Sequence, residues 1–281
     1  MEQEVTDIWH VLSDGTRADI PFGTEQEKIL AWNSIAICAY TTGVRVLVVT
    51  INDTHLHTLV RGTREQAEPF RFSLQQRLCY FNREDNIIVD CQAANTRTEA
   101  LSKFMYVFRN SLDFRRLLPG NYSWGSGNIY FAELEGRGTK LSEYSYREQF
   151  RMLRTRKKLP QEWRVDVNGR ILPESFIDIE GVEGLFGSPQ AFLAFQYVRK
   201  HDETAMKNEI YRNYREQRSI EELRKIGNRY SVNYCGRRLK SAAFEIRLKV
   251  AGRMLNEHLS GKSASLAKAL YLKLEDLNWL T

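Results

Sequence analysis

The chain has 281 residues, 42% hydrophobic and 27% charged. That is enough apolar material for one large core or two smaller ones, and too little polar bias for wholesale disorder. Its 41 Lys and Arg exceed its 35 Asp and Glu by a formal +6, which suits a polyanionic partner without specifying one. Cys38, Cys79, Cys91 and Cys235 are scattered with no Cys-x-x-Cys pair, so a disulfide frame and a thiolate zinc site are not expected.

Residues 7–12 read as a short strand, and Ser13-Asp14-Gly15-Thr16 as a turn. A helix is expected over 24–41, with Thr24 as N-cap, Glu27 as its capping-box partner and Gly43 as the stop. Val44 to Ile51 is β-branched and apolar, a buried strand. Asn52-Asp53 marks a tight turn, and His55 to Arg61 the following strand. Residues 66–82 read as helix, Ile87-Ile88-Val89 as a short strand, and 97–118 as helix stopped by Pro119-Gly120. The order β-α-β-β-α-β-α predicts an α+β fold: a largely antiparallel sheet with packed helices, ferredoxin-like or RRM-like in its core.

Composition shifts near residue 147, where Arg147, Arg151, Arg154, Arg156, Lys157 and Lys158 form a basic stretch. A turn-rich connector follows, and from about 190 the chain reads as helical. Residues 199–262 hold 16 Lys and Arg against 8 Asp and Glu, so the basic character is concentrated there. The expected division is 1–145, a connector over 146–190, and a basic all-helical C-terminal domain over 191–281. Within that domain, 236–259 reads as one long helix. Ser265 to Leu270 and Leu274 to Leu280 read as two short ones in a helix-turn-helix-like arrangement. Glu275 and Asp276 on the last would repel phosphates.

The chemistry-bearing pattern starts with His55-Leu56-His57. Side chains on a strand alternate faces, so both imidazoles point one way and Leu56 points behind them. Two imidazoles on a rigid strand make a pair of metal ligands; the other reading is two polar residues on the solvent side of an edge strand. Tyr106 and Asn110, at i and i+4 of the 97–118 helix, share one face. A phenol with an ordinary pKa of ~10 is a poor nucleophile at neutral pH. It attacks a phosphodiester when a metal polarises the phosphate and the geometry is in line.

In combination these segments resemble the single-tyrosine HUH transposases, most closely the REP-associated tyrosine transposases. The family's Pro-Asn-His-hydrophobic-His-Leu-Leu is Asp53-Thr54-His55-Leu56-His57-Thr58-Leu59 here. Its Tyr-Ile-x-x-Asn-Pro is Tyr106-Val107-Phe108-Arg109-Asn110-Ser111, and its Tyr-Pro-Trp-Ser-Ser is Tyr122-Ser123-Trp124-Gly125-Ser126. The departures are Asp53-Thr54 for Pro-Asn and Ser111 for proline. The resemblance covers about residues 5–130 and, more loosely, the connector segments Ile171–Ser175 and Leu185–Pro189.

The resemblance implies that His55, His57 and Asn110 hold a divalent cation, Mg²⁺ or Mn²⁺, and that Tyr106 attacks the scissile phosphate. The product would be a 5′-phosphotyrosine link and a free 3′-hydroxyl. It further implies a transposase-type nuclease acting on single-stranded or hairpin-flanked DNA, with a homodimer among the expected assemblies. A domesticated nucleic-acid-binding protein of the same fold without catalysis is the alternative. Arg61, Arg109, Arg115, Arg116, Trp124, Arg237, Arg238 and Lys240 are candidate DNA contacts. No apolar run approaches the ~20 residues of a membrane span. The opening Met1-Glu2-Gln3-Glu4 lacks signal-peptide order. A cytoplasmic bacterial protein, nucleoid-associated when bound to DNA, is expected.

Overall fold

A computed structural model describes residues 4–14, 20–82, 87–115, 117–134, 138–198, 218–256, 259–260 and 263–280. Seven elements open the fold: β1 (Glu4–Asp14), α1 (Glu25–Thr42), β2 (Arg45–Ile51), β3 (Leu56–Arg61), α2 (Arg64–Asn82), β4 (Ile88–Thr96) and α3 (Arg97–Arg115). The strands form one sheet in the order β2-β3-β1-β4, every neighbouring pair antiparallel. This is the split βαβ connectivity expected from the sequence. The crossovers β1-α1-β2 and β3-α2-β4 place α1 and α2 side by side on one face, since such crossovers are right-handed. The helix α3 lies on the other face.

Local chemistry sets the boundaries. Thr24 accepts from the Glu27 amide, and the Glu27 carboxylate accepts from the Thr24 amide, so α1 begins with the expected capping box. Gly43 ends it at φ 77°, a left-handed conformation that an L side chain adopts only with strain. The strand β4 runs to Thr96, beyond the Ile87–Val89 read from sequence. Asp90 and Gln92 break the apolar run, but pairing with β1 satisfies their backbone and extends the ladder.

The sheet core joins Val11, Val46, Val48, Leu56 and Val60 to Trp32, Ile35, Phe70, Leu74, Phe104 and Phe108. Beyond α3 come β5 (Thr139–Lys140), α4 (Tyr146–Leu153), β6 (Arg164–Val165), α5 (Ile179–Phe186) and α6 (Pro189–Val198). Leu141, Leu153, Leu159, Trp163, Val165 and Ile171 pack on Ala36 and Ile37 of α1. The indole N–H of Trp32 donates to the Ile171 carbonyl at 2.8 Å. Phe192 of α6 joins the sheet core beside Phe104 and Phe108.

The C-terminal part is α7 (Ile220–Cys235), α8 (Phe244–Asn256), α9 (Ala264–Ala269) and a 3₁₀ turn at Leu274–Trp279. Its own core contains Leu223, Ile226, Tyr230, Val250, Met254, Leu266, Leu270 and Leu277, with Ile20 inserted from the other end of the chain. The single long helix expected over 236–259 is not formed. Gly236 caps α7 at φ 69°, and a 3₁₀ turn at Leu239–Ser241 redirects the chain before α8 starts. The helix inside that span is α8, which starts at Phe244, and the turn before it lets α7 and α8 bury apolar faces against each other.

Candidate metal and nucleophile site

The first antiparallel pairing sets Leu12 opposite His57 and Leu59 opposite His10. His10 and His57 are therefore diagonal neighbours on one face of the sheet. Their rings stack with centroids 5.2 Å apart, and His10 Nε2 lies 3.1 Å from His57 Nδ1. Tyr106 comes down from α3, its ring 5.2 Å from His57 and 6.0 Å from His10. One turn later Asn110 brings its Oδ1 to 3.3 Å from His55 Nε2. The rings of His55 and His57 are 4.9 Å apart. The four residues singled out in the sequence thus meet, and none is more than 1% exposed. The edge-strand reading of the histidines is excluded, because β3 is an inner strand.

The loop before β3 aims His55. The Asn52 amide N–H bonds the His55 carbonyl at 2.8 Å, and the Ser13 hydroxyl accepts from the Leu56 amide at 3.0 Å. Thr54 Oγ1 is 2.8 Å from His55 Nδ1. With the proton on Nδ1 facing that hydroxyl, the Nε2 lone pair faces Asn110 Oδ1. The Asn52 side-chain amide lies between these acceptors and donates to both, at 3.2 Å to His55 Nε2. Two donors about 2.1 Å from one cation stand about 3.0–3.4 Å apart, so the 3.3 Å gap has the span a shared ion requires. His57 Nε2, Asn110 Nδ2 and Asn52 Oδ1 are buried without a hydrogen-bond partner, although buried polar groups are nearly always paired. An unused imidazole nitrogen beside two aligned acceptors fits a cation. Among the described residues, no three His, Cys, Asp or Glu side chains are grouped to hold a metal; the trio here depends on the amide of Asn110.

Electrostatics favours the ligand form of the histidines. Burial holds the His10 imidazole down at about 3, with Lys103 adding to the effect. Burial, then His55 and His10, holds His57 well below the ordinary range. Both are neutral at physiological pH, as a metal ligand and its supporting partner must be.

His10, Asn52 and Asp53 were not singled out from the sequence. The signal for His10 was present: it shares the period-two face of Ile8 and Leu12, so it is a polar residue facing inwards. Asp53 stands where the related motif has proline. It is fully buried and pairs with Lys28 Nζ at 2.6 Å and with Arg253 of α8. Glu27 pairs with Arg229 of α7, and Asn233 donates to the Gly23 carbonyl at 3.2 Å. The Asp53–Arg253 pair fastens the helical bundle to the loop that carries His55, and the other two contacts fasten it to the start of α1.

The remaining candidates disperse. Arg61 lies 4.0 Å from Asp178, and Arg109 is buried and donates to the Phe195 carbonyl. The side chains of Arg115 and Arg116 lie outside the described residues. Trp124 is half-buried with the Arg170 guanidinium 5.0 Å from its ring. Its segment runs along β2, where the Ile51 amide donates to the Trp124 carbonyl and the Tyr122 hydroxyl to the Ile51 carbonyl. Arg237, Arg238 and Lys240 are exposed at the turn after α7.

No family model matches the sequence, and no curated protein matches it. Among solved structures the chain is similar to a REP-associated tyrosine transposase bound to a REP hairpin, at 11% identity and a TM-score of 0.36. The likeness covers 59% of this chain and 90% of that one. A TM-score that low bears on neither fold nor function. Among the described residues no helix is long and apolar enough to cross a membrane.

Proposed function

We propose that the chain is a metal-dependent, single-tyrosine enzyme that cuts and rejoins single-stranded DNA, of the transposase type its motifs resemble. One observation carries this reading: His55, His57, Asn110 and Tyr106, drawn from segments some 50 residues apart, meet on one buried face of the sheet. His55 Nε2, Asn110 Oδ1 and the unpartnered His57 Nε2 would hold the ion, Mg²⁺ or Mn²⁺. The ion would polarise the scissile phosphate. Tyr106 forms the new bond to phosphorus while the bond to the 3′ oxygen breaks, and the phenolic proton ends on that oxygen. The 5′-phosphotyrosine link conserves the phosphodiester, so a second 3′-hydroxyl can rejoin without ATP. With Tyr106 only 1% exposed, the elements over the site must part before a strand enters.

The test is incubation of the whole chain with labelled, hairpin-bearing single-stranded DNA and Mn²⁺. A covalent adduct that survives denaturing electrophoresis and disappears in Tyr106→Phe is the expected result. An adduct that persists in that variant would sink the assignment of the nucleophile. A second reading has its own support: the Asn52 amide spans His55 and Asn110, satisfying them without an ion. On that reading the chain binds nucleic acid without cutting it, and binding is indifferent to chelator and to Tyr106→Phe.

A further inference from the structure

The basic stretch at 147–158 lies away from the imidazole cluster. The helix α4 and the loop after it pack on Ala36 and Ile37 of α1, through Leu153 and Leu159. They therefore sit on the α1 side of the sheet, whereas the histidines face α3. The segment is firmly held. Arg77 of α2 donates to the carbonyls of Leu153 and Arg154, at 3.1 and 3.4 Å. Ser145 and Glu148 close a capping box at the start of α4.

On this anchored segment Arg147, Arg151, Arg154, Arg156, Lys157 and Lys158 are all exposed. None is among the salt bridges formed by the described residues. The nearby acid Glu148 is turned back onto the cap, its carboxylate accepting from Ser145. Six cations within twelve residues face one carboxylate, Glu148, which Arg151 approaches, while Arg156 lies over the Phe150 ring. The remaining excess of positive charge repels itself, which a folded chain tolerates more easily when an anion passes over it.

Beside them is a cleft of about 370 Å³ lined by Tyr144, Tyr146, Gln149, Lys157, Lys158 and Gln161. Tyr146 is 64% exposed. The Gln149 amide donates to the carbonyls of Leu141 and Tyr144, at 2.8 and 3.0 Å, and lies 3.2 Å from Gln161 Oε1, which fixes the cleft wall. Cations tracking a backbone beside an open aromatic ring are what an unpaired strand needs; a duplex keeps its base faces stacked internally.

The geometry points to a second nucleic-acid contact: the α4 face, with its tyrosine-lined cleft, holds a stretch of single-stranded nucleic acid on the side of the sheet opposite Tyr106. This rests on the nucleic-acid partner of the proposed function but not on its catalysis. The strand's phosphates lie along Arg151, Arg156, Lys157 and Lys158, and one base stacks on Tyr146.

The test is fluorescence anisotropy of the full chain with a labelled thymidine oligomer of about twenty nucleotides across a salt series. Lys157→Glu with Lys158→Glu weakens binding about tenfold or more at low salt and lowers the salt slope by about 1.4, the value for two single-strand phosphate contacts. Tyr146→Ala weakens binding with the slope unchanged, and Lys157→Arg with Lys158→Arg retains it. Circular dichroism and thermal melting check that these surface variants stay folded. Wild-type binding that both variants leave intact overturns the second contact and leaves the tyrosine chemistry standing. An equal affinity for duplex DNA overturns its single-strand character. Loss of binding in the variants, with no Tyr106-dependent adduct in the wild type, supports this contact while sinking the catalytic reading.

Discussion

The α3 face of the sheet and the C-terminal helical bundle treat buried polar groups in opposite ways. On this face of the sheet His10, His55, His57, Asn52, Asn110 and Thr50 are all within 1% of full burial. Of the polar groups in the bundle, only Ser231 and the phenol of Tyr230 lie that deep among the described residues. The bundle is built as a stable helical core should be, apolar inside and charged outside. The sheet face leaves His57 Nε2 and Asn110 Nδ2 without hydrogen-bond partners on side chains that are wholly buried, whereas in the bundle Arg224 Nε and Arg247 Nε, in the same state, belong to side chains that reach solvent. Each such omission costs about 1–3 kcal/mol relative to a satisfied group. A fold selected for stability alone would fill that space with apolar side chains. The difference is what the proposed ligand site on the α3 face requires, with the bundle bracing it.

The largest expected effect comes from cutting the seam between the two regions. Asp53→Asn strips the carboxylate from Lys28, whose side chain is 7% exposed, and from Arg253. A buried cation left without its partner costs about 3–5 kcal/mol, read as a lower urea midpoint with the slope retained. A midpoint close to wild type would mean that the bundle is not held to the His55 loop by this carboxylate.

A smaller effect is expected from acid, measured in chelator. The folded imidazole of His10 takes a proton only near pH 3, whereas the unfolded one does so near 6.5. Between those values the unfolded chain binds more protons, so stability falls as pH drops below 6.5 and is fully present above it. His57 acts in the same direction. His10→Gln flattens this acid limb, seen in melts between pH 7 and 4. An unchanged limb would place the acid sensitivity elsewhere.

The sequence made the sheet region legible and the seam opaque, for a physical reason. Strand and helix periodicities are local, so the α1 capping box, Gly43 and the facing of His55 with His57 could be read from a few neighbouring residues. The meeting of those imidazoles with Tyr106 and Asn110 was legible only through the resemblance of three separated motifs. His10 escaped because its partner lies 47 positions away, and Asp53 because its function depends on Arg253, 200 positions away. The late start of the 236–259 helix, at Phe244, escaped because Gly236 before a basic run reads as a tolerated helix residue unless the end of α7 and its packing partner are known.

The smallest effects distinguish a cap that serves one helix from a cap that serves the seam. Thr24 and Ser219 close identical capping boxes, on α1 and α7, and replacing either by Ala costs about 1 kcal/mol. Their acidic partners differ. Glu222 is spent within its own cap, accepting from Ser219, while Glu27 accepts from Thr24 through one oxygen and pairs with Arg229 through the other. Thr24→Ala removes the hydroxyl that fixes the Glu27 backbone amide while leaving the main-chain N–H that holds its carboxylate, so it should weaken the hold of Glu27 on the bundle by loosening the backbone that aims it. A double-mutant cycle between Thr24→Ala and Arg229→Met should give a coupling of about 0.5 kcal/mol or more. The same cycle with Ser219→Ala should be additive within about 0.3 kcal/mol. Equal couplings in the two cycles would show that Glu27 holds the α1 cap and the bundle independently.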